Sequence, residues 1–485
     1  MPGAPGPRAA PCPDGLACRM HTAGAAKSGK IAAAAGCILH GPAASDPPNV
    51  PGHMKFSGKT ATEIFDGIRT LVQSGQLPPG ASLPPVRDLA VELDVNRNTV
   101  AAAYRRLVTA GIAQAQGRLG TTIRDPATPG EQEGARADTQ LMDFASGNPG
   151  ARWLPDLTAA FHVRPYKPRL YGAATVNPGL ESYIRKWMAP DAPVPFEVDL
   201  AHGAVDAVER LLGAYLVPGD KVAVENPCFL SSINTLRTAG CQPLGVPVDE
   251  EGMLAPALAA ALAKGAQAVI LTPRIHNPTG CNLSAKRARA LARVLAKYPQ
   301  TLVVIDDHFA SLATAGYHSV LPRGAARWAL VRSFSKALGP DVRVAAIASD
   351  AQTAKRLRLR LASGTSWVSH LLQDVVEMTV TRPGFAELME QARADYARRR
   401  QALADALTAE GIGVHAHADG LNLWVPLERD DAAVVAELAA LGWLVRHGEA
   451  FSVQERVHGL RITISDIEPE QCATFAQDLR RCLGG

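Results

Sequence analysis

Paired cysteines, charge of one sign and long apolar runs are all scarce in this chain, and each scarcity removes a class of function. The eight cysteines (Cys12, Cys18, Cys37, Cys228, Cys241, Cys281, Cys472 and Cys482) show neither CxxC nor His-paired metal spacing. With no paired framework either, they read as reduced thiols of a cytoplasmic protein, and no metal site is expected. The longest apolar runs are strand-sized, which excludes a membrane-spanning helix. Formal net charge is only +4 over 485 residues, so no global field selects a partner and only local clustering matters. There is no GxxxxGK phosphate loop and no internal repeat. Residues 1–53 are rich in Ala, Gly and Pro without a continuous apolar run. They are therefore not a signal peptide and are expected to be disordered, with Met54 a candidate start just before the first patterned segment.

What is present is mostly globular: 47% of residues are apolar and 20% charged, over a length that suggests two or three domains. Three zones follow the tail. Residues 54–124 hold short helical patterns and end in a hairpin pattern. Residues 125–142 ("DPATPGEQEGARADTQLM") have almost no apolar content and two prolines, and read as a linker. Residues 143–485 alternate strand-like runs ("KVAVE", "AVILTP", "TLVVID", "WALVRS") with Ala- and Leu-rich helical stretches, the pattern of a parallel sheet covered by helices.

In the first zone, Thr60 and Glu63 have capping-box spacing, and Ile64, Ile68, Leu71 and Val72 share a helical face. A second helix opens at "LPPVRDLAVEL", with Pro85 at a tolerated early position and Leu89 and Leu93 facing inward. After the turn "DV", Asn96 can cap a third helix, "NRNTVAAAYRRLVTAG", ended by Gly111. "IAQAQGRLGTTI" then reads as two strands around a tip, a wing. This is the order that places a third helix in a DNA major groove. Nine Lys or Arg stand against five acids in 54–124, an excess equal to the net charge of the whole chain. A small interaction domain with a solvated arginine face would show the same pattern.

In the third zone four chemistry-bearing groups follow one another in order. "ILTPRIHNPTG" ends a strand with Asn277, a donor to a ring hydroxyl, and "VVIDDHFA" ends the next with Asp306, able to hold a pyridine nitrogen protonated. His308 points the same way along an extended chain. "RSFSKALGPDVR" supplies Ser333 and Ser335 as phosphate hydroxyls, Lys336 as an amine for an imine, and Arg343 as a phosphate clamp. An amine, an acid for a ring nitrogen, a donor to a ring oxygen and donors to a dianion are what pyridoxal 5'-phosphate (PLP) requires. Each alone is commonplace; together, at strand ends, they point to a PLP site with Lys336 as its Schiff-base lysine.

Two resemblances sharpen this reading. "LPPGASLPPVRDLAVELDVNRNTVAAAYRRLVTAGI" resembles the GntR-type winged helix, wing glycines included. The likeness implies a double-stranded DNA operator, with Arg87 and Arg97 at phosphates or base edges. It places Asn96, Asn98 and Thr99 at a helix N-terminus facing DNA, and Arg118 on the wing. Ala101 stands where some members carry a basic residue. From about 144 to 482 the chain resembles fold-type I aminotransferases, through "SGNP", "LYGAA", "HGAVDAVERLL", "VPGDKVAVENPCF", "HNPTG", "IDDHF", "SFSKALGPDVR" and "GLRITIS". That likeness implies phosphate donation from the Gly203 and Ala204 backbone, Phe229 stacked on the pyridine ring, and Tyr171 reaching across a homodimer to the neighbour's phosphate. Arg461 would take an amino acid's carboxylate. His308 departs from the family, which more often has tyrosine there; imidazole can also donate to the ring oxygen.

The expected fold class is thus multidomain: an N-terminal winged helix-turn-helix (α+β) followed by an α/β fold-type I PLP-dependent aminotransferase-like domain. A winged helix, a linker and such a domain in one chain resemble the MocR regulators over residues 55–482. The runs "NRNTVAAAYRRL", "PRIHNPTGCNLS", "VVIDDHFASL" and "WVSHLLQDVV" are nearest to a member tied to vitamin B6 metabolism. The implied function is a PLP-dependent transcriptional regulator of B6 salvage, for example of a pyridoxal kinase gene. PLP, a related B6 vitamer or an amino acid would be its effector. The alternative is an active aminotransferase with an accessory N-terminal domain.

Overall fold

The computed structural model describes residues 56–110, 112–115, 120–123, 133–134, 139–162, 167–362, 364–415 and 418–484. The tail expected over 1–53, most of 125–142, Gly111 and Arg118 lie outside these residues. The first helix, α1 (Ala61–Gln73), starts where Thr60 accepts the Glu63 N–H at 3.2 Å. The other half of the expected box is displaced by one residue, because the Glu63 carboxylate takes the Lys59 N–H at 2.8 Å. Helix α2 (Val86–Glu92) and α3 (Arg97–Thr109) flank a turn in which Asp94 adopts a left-handed φ of 50°, a conformation a short polar side chain tolerates. Strands β1 (Ala113–Ala115) and β2 (Thr121–Ile123) pair antiparallel with Ala113 opposite Ile123, the expected wing. Ile64, Ile68, Leu89, Val100, Leu107 and Ile123 are buried together as this segment's core.

Beyond β3 (Met142–Asp143), eight strands form one sheet: β4 (Glu197–Ala201), β5 (Lys221–Asn226), β6 (Gln242–Asp249), β7 (Gly252–Met253), β8 (Ala266–Leu271), β9 (Leu302–Asp306), β10 (Trp328–Ser333) and β11 (Ala345–Ser349). Their spatial order is β4-β11-β10-β9-β8-β5-β6-β7. The five central strands from β10 to β6 are parallel, as the alternating pattern predicts. A wholly parallel sheet is not what forms, however: β11 runs antiparallel to both β10 and β4, and β7 to β6. The link from Ser333 to Ala345 carries only two short helical turns, Ser335–Leu338 and Pro340–Val342. It is too short for the helical crossover a parallel return needs. Alternate residues of the central strands enter two separate clusters: Ala223, Val303 and Ile305 on one face, Val222, Val224, Leu302 and Val304 on the other. Both faces are therefore covered, as a largely parallel sheet requires.

A second sheet follows, with β12 (Asn422–Pro426), β14 (Arg446–His447) and β15 (Gly459–Thr463) in the order β12-β15-β14, while β13 (Trp443–Leu444) pairs parallel with β3. Among the described residues, no helix is long and apolar enough to cross a membrane.

Candidate functional site

Two sets of candidate side chains stand out. In the winged helix, Asn96 is the N-cap of α3 and its Oδ1 accepts the Asn98 N–H at 2.8 Å. That bond commits Asn96 to starting the helix, and so presents the exposed Arg97 and Asn98 at its first turn, with Thr99 half-buried. Arg87, exposed on α2, lines the same surface groove as Asn96 and Arg97.

The second set converges at the carboxyl ends of the central strands. Side chains alternate along "IDDH", and this separates the two aspartates. Asp307 is fully buried and held by Arg274 (3.1 and 2.6 Å) and Arg332 (2.8 Å). Asp306, at the end of β9, points the other way; its buried Oδ1 has no hydrogen-bond partner and lies 3.1 Å from His308 Nδ1. Both His308 ring nitrogens are likewise buried without partners, and its ring stacks on Phe229 with centroids 5.2 Å apart. Asp307→Ala would strip the buried Arg274 of its carboxylate and leave Arg332 with Asp191 alone. We expect a loss of about 3–5 kcal/mol in unfolding free energy, measured by urea denaturation.

A second buried acid stands behind this end of the sheet without adding charge. Burial pushes the Glu225 carboxyl up to about 8, and burial with the neighbouring His308 pushes His276 down to about 3. The 3.4 Å approach between Glu225 and His276 is therefore one between neutral groups at pH 7.

Lys336 lies in the one-turn helix Ser335–Leu338 that follows β10. Its Nζ donates to the Gly147 carbonyl at 2.7 Å and sits 5.1 Å from the Phe309 ring centroid. Burial lowers the amine, the Glu133 carboxylate opposes that, Arg461 adds to it, and the outcome is about 8. Ser333 Oγ and Ser335 Oγ are 3.1 Å apart, and the Ser333 hydroxyl also accepts the Ser335 N–H. Arg343, in the left-handed region at φ 47°, brings its guanidinium to Gly203. Gly203 has φ 95° and precedes the helix Ala204–Gly213; a Cβ there would stand 2.9 Å from Arg343 Nη2. Glycine at 203 thus lets a guanidinium and a helix N-terminus with free N–H groups come together, an arrangement suited to a dianion.

Asn277 is placed differently from the expectation. Strand β8 ends at Leu271, and Asn277 lies in the loop beyond it, because Pro273 cannot continue the ladder. It nevertheless reaches the same cleft, where its Oδ1 accepts from Arg461 Nη1 at 3.0 Å. Arg461, on β15, is fully buried and also donates to the Ala145 carbonyl at 2.6 Å. Tyr171 is apart from this cluster, 92% exposed, with its ring 5.6 Å from that of Trp367.

Sequence reasoning misses Glu133. Its carboxylate binds Arg461 through Oε1 to Nη1 (2.5 Å) and Oε2 to Nη2 (2.8 Å), and accepts Asn277 Nδ2 at 3.0 Å. It sits in a polar stretch with no periodicity, and nothing local marks it. Burial alone would raise this carboxyl, but Arg461, with Lys336 and Arg446, outweighs burial and brings it to about 2.

Comparison with known proteins agrees with this two-part construction. Residues 139–479 match the family aminotransferase class I and II, and residues 60–123 match the bacterial regulatory proteins of the gntR family. The chain is 52% identical over 428 residues to the vitamin B6 salvage pathway transcriptional repressor PtsJ of Salmonella typhimurium, covering 88% of this chain and 99% of that one. It is 27% identical over 467 residues to the HTH-type transcriptional regulator TauR of Rhodobacter capsulatus, covering 84% and 94% respectively. In fold it is similar to the crystal structure of a kynurenine aminotransferase from Pyrococcus horikoshii, with a TM-score of 0.65 at 21% identity over 72% of this chain and 91% of that one. With a gntR-type winged helix and a class I and II aminotransferase domain in one chain, and a regulator of this kind matched almost end to end, the protein belongs to the MocR-type transcriptional regulators of the GntR family.

Proposed function

We propose that the protein is a PLP-responsive DNA-binding regulator of vitamin B6 salvage genes, acting as a homodimer. One observation carries the reading. A partly buried lysine amine, a buried carboxylate oxygen without a partner and an Arg343–Gly203 cradle converge in one cleft of a chain that also holds a winged helix. The residues fit the cofactor by chemistry. Asp306 Oδ1 and the His308 nitrogens are orphaned polar atoms suited to a ring nitrogen and a ring hydroxyl, and the cradle at Gly203, with Ser333 and Ser335, suits a phosphate. Bound there, PLP supplies an aldehyde that condenses reversibly with amines and a ring that withdraws electrons.

The chain's own residues set how that happens. With Glu225 neutral, Asp306 meets the ring nitrogen without a second negative charge beside it. Arg343 holds the phosphate with charge-assisted bonds. Lys336, brought to about 8, has about a tenth of its amine unprotonated at pH 7, far more than an exposed lysine. The rate at which the cofactor-free protein captures PLP should therefore rise about tenfold per pH unit below pH 7, more slowly through pH 8, and level off above it. Stopped-flow absorbance would check this; a rate still climbing through pH 10 would mean an unperturbed amine.

The relative PtsJ, named as a B6 salvage repressor, supports the pathway, and on that likeness PLP should weaken operator binding. The exposed Tyr171 and Leu170 support a second copy of the chain covering this loop. An aminotransferase with an accessory domain would need Arg461 open to substrate carboxylates, whereas Glu133 holds it. The test is gel retardation of DNA from upstream of the protein's own gene against unrelated DNA of equal length. Selective retardation is expected; no selectivity would leave the aminotransferase reading ahead.

A further inference from the structure

The segment after the winged helix reads from sequence as a polar spacer, yet two consecutive residues of it are bound in the cleft. Glu133 engages Arg461 through both carboxylate oxygens, and the next N–H, of Gly134, donates to the Ser146 carbonyl at 2.9 Å. Gly134 takes φ 119°, a backbone region open to glycine and rarely to other residues. Gly147 completes the fit: a Cβ there would collide with the Glu133 carboxylate and lie 3.1 Å from Arg461 Nη2. The pair is sheltered, since the Glu133 side chain is 19% exposed and that of Arg461 not at all.

Paired bonds from a guanidinium to both oxygens of a carboxylate are how an arginine recognises the carboxylate of a small molecule. Here that carboxylate belongs to the chain itself. Lys336, whose charge is felt by Glu133, provides the neighbouring amine position. The cleft thus brings a carboxylate subsite and an amine-reactive position together, for the two functional groups of an α-amino acid.

We propose that Glu133 is a built-in carboxylate ligand that competes with amino-acid carboxylates for Arg461, so that what the cleft holds governs whether the segment following the winged helix stays docked. The proposal rests on the reading of the cleft as a PLP site and adds a second ligand class, α-amino acids. It also gives the retained Arg461 a role in a regulator: the tethered carboxylate is always at hand, at an effective concentration in the millimolar range. A ligand that displaces it releases the chain at residue 133.

The experiment uses full-length PLP-loaded wild type, Glu133→Gln and Glu133→Ala. L-Alanine is the probe, and ethylamine, the same amine without a carboxylate, is the control. Both variants should bind L-alanine at least ~10-fold more tightly than wild type by absorbance titration, with ethylamine affinity unchanged. In wild type, L-alanine should also abolish hydrogen-exchange protection of the Gly134 amide. Equal L-alanine affinities in all three proteins, or a Gly134 amide still protected at saturation, would overturn the proposal. A cofactor-free arm separates its failure from that of the cofactor reading. Gly134 should be protected in wild type and unprotected in both variants whether or not PLP binds. Failure to take up PLP would count against the cofactor reading alone, and equal Gly134 protection in all three cofactor-free proteins against the docked glutamate.

Discussion

Replacing Lys336 with alanine should abolish covalent capture of PLP, taking the cofactor fixed by borohydride from one per chain to none. The expectation follows from the Lys336 amine. Among the described groups that surround Asp306 and Arg343 it is the one lysine nitrogen, it is partly buried, and its lowered proton affinity leaves a usable fraction as free base. Arg343, Ser333, Ser335 and the Gly203–Ala204 backbone are untouched by the substitution, so weaker non-covalent PLP binding should survive. Mass spectrometry of peptides after reduction checks both halves. Label on a different lysine in the wild type would move the site elsewhere.

The second large effect is expected at the other end of the chain. Arg97→Ala should weaken operator binding by about 1–3 kcal/mol per half-site and leave the cofactor spectrum unchanged. Arg97 is exposed on the first turn of α3, where the Asn96 cap fixes the helix start, and its removal costs no core contact. If its partner is a phosphate, the loss should be uniform across DNA sequences and the salt dependence shallower by about one counterion per site. If its partner is a base edge, specificity should relax at one position. Fluorescence anisotropy with matched and mismatched operators distinguishes the two. An unchanged affinity would remove α3 as the reading helix.

Both predictions draw on residues that the sequence itself makes legible. Asp306, Ser333, Lys336 and Arg343 are chemically demanding side chains at strand ends, where an open α/β sheet places its ligands, and the helix signals of the winged segment are local. What the sequence hides depends on long-range geometry. The antiparallel course of β11 follows from the shortness of its link, a constraint the alternating pattern conceals. Asn277 reaches the cleft from a loop, because Pro273 interrupts the strand that the apolar run suggests. Asp307 and Asp306 look alike in "IDDH", and only the arginines on neighbouring elements show which one is spent on structure. Glu133 lies more than 300 positions from Arg461, its partner, in a stretch whose composition argues for solvent. No local pattern encodes a contact of that separation. On the proposal above, this polar stretch carries a signal through the docked glutamate rather than through a rigid helix.

The central claim is that the cleft and the DNA-reading helix share one equilibrium. A ligand shifts such an equilibrium only through a difference in its affinity for the two states, and the effect must be reciprocal. The most direct measurement is the operator affinity of the cofactor-free and the PLP-loaded protein at one fixed salt concentration, paired with PLP affinity in the absence and presence of saturating operator. We expect PLP to weaken operator binding by roughly 5- to 150-fold, with the operator weakening PLP binding by the same factor. Equal operator affinities with and without PLP would contradict the account.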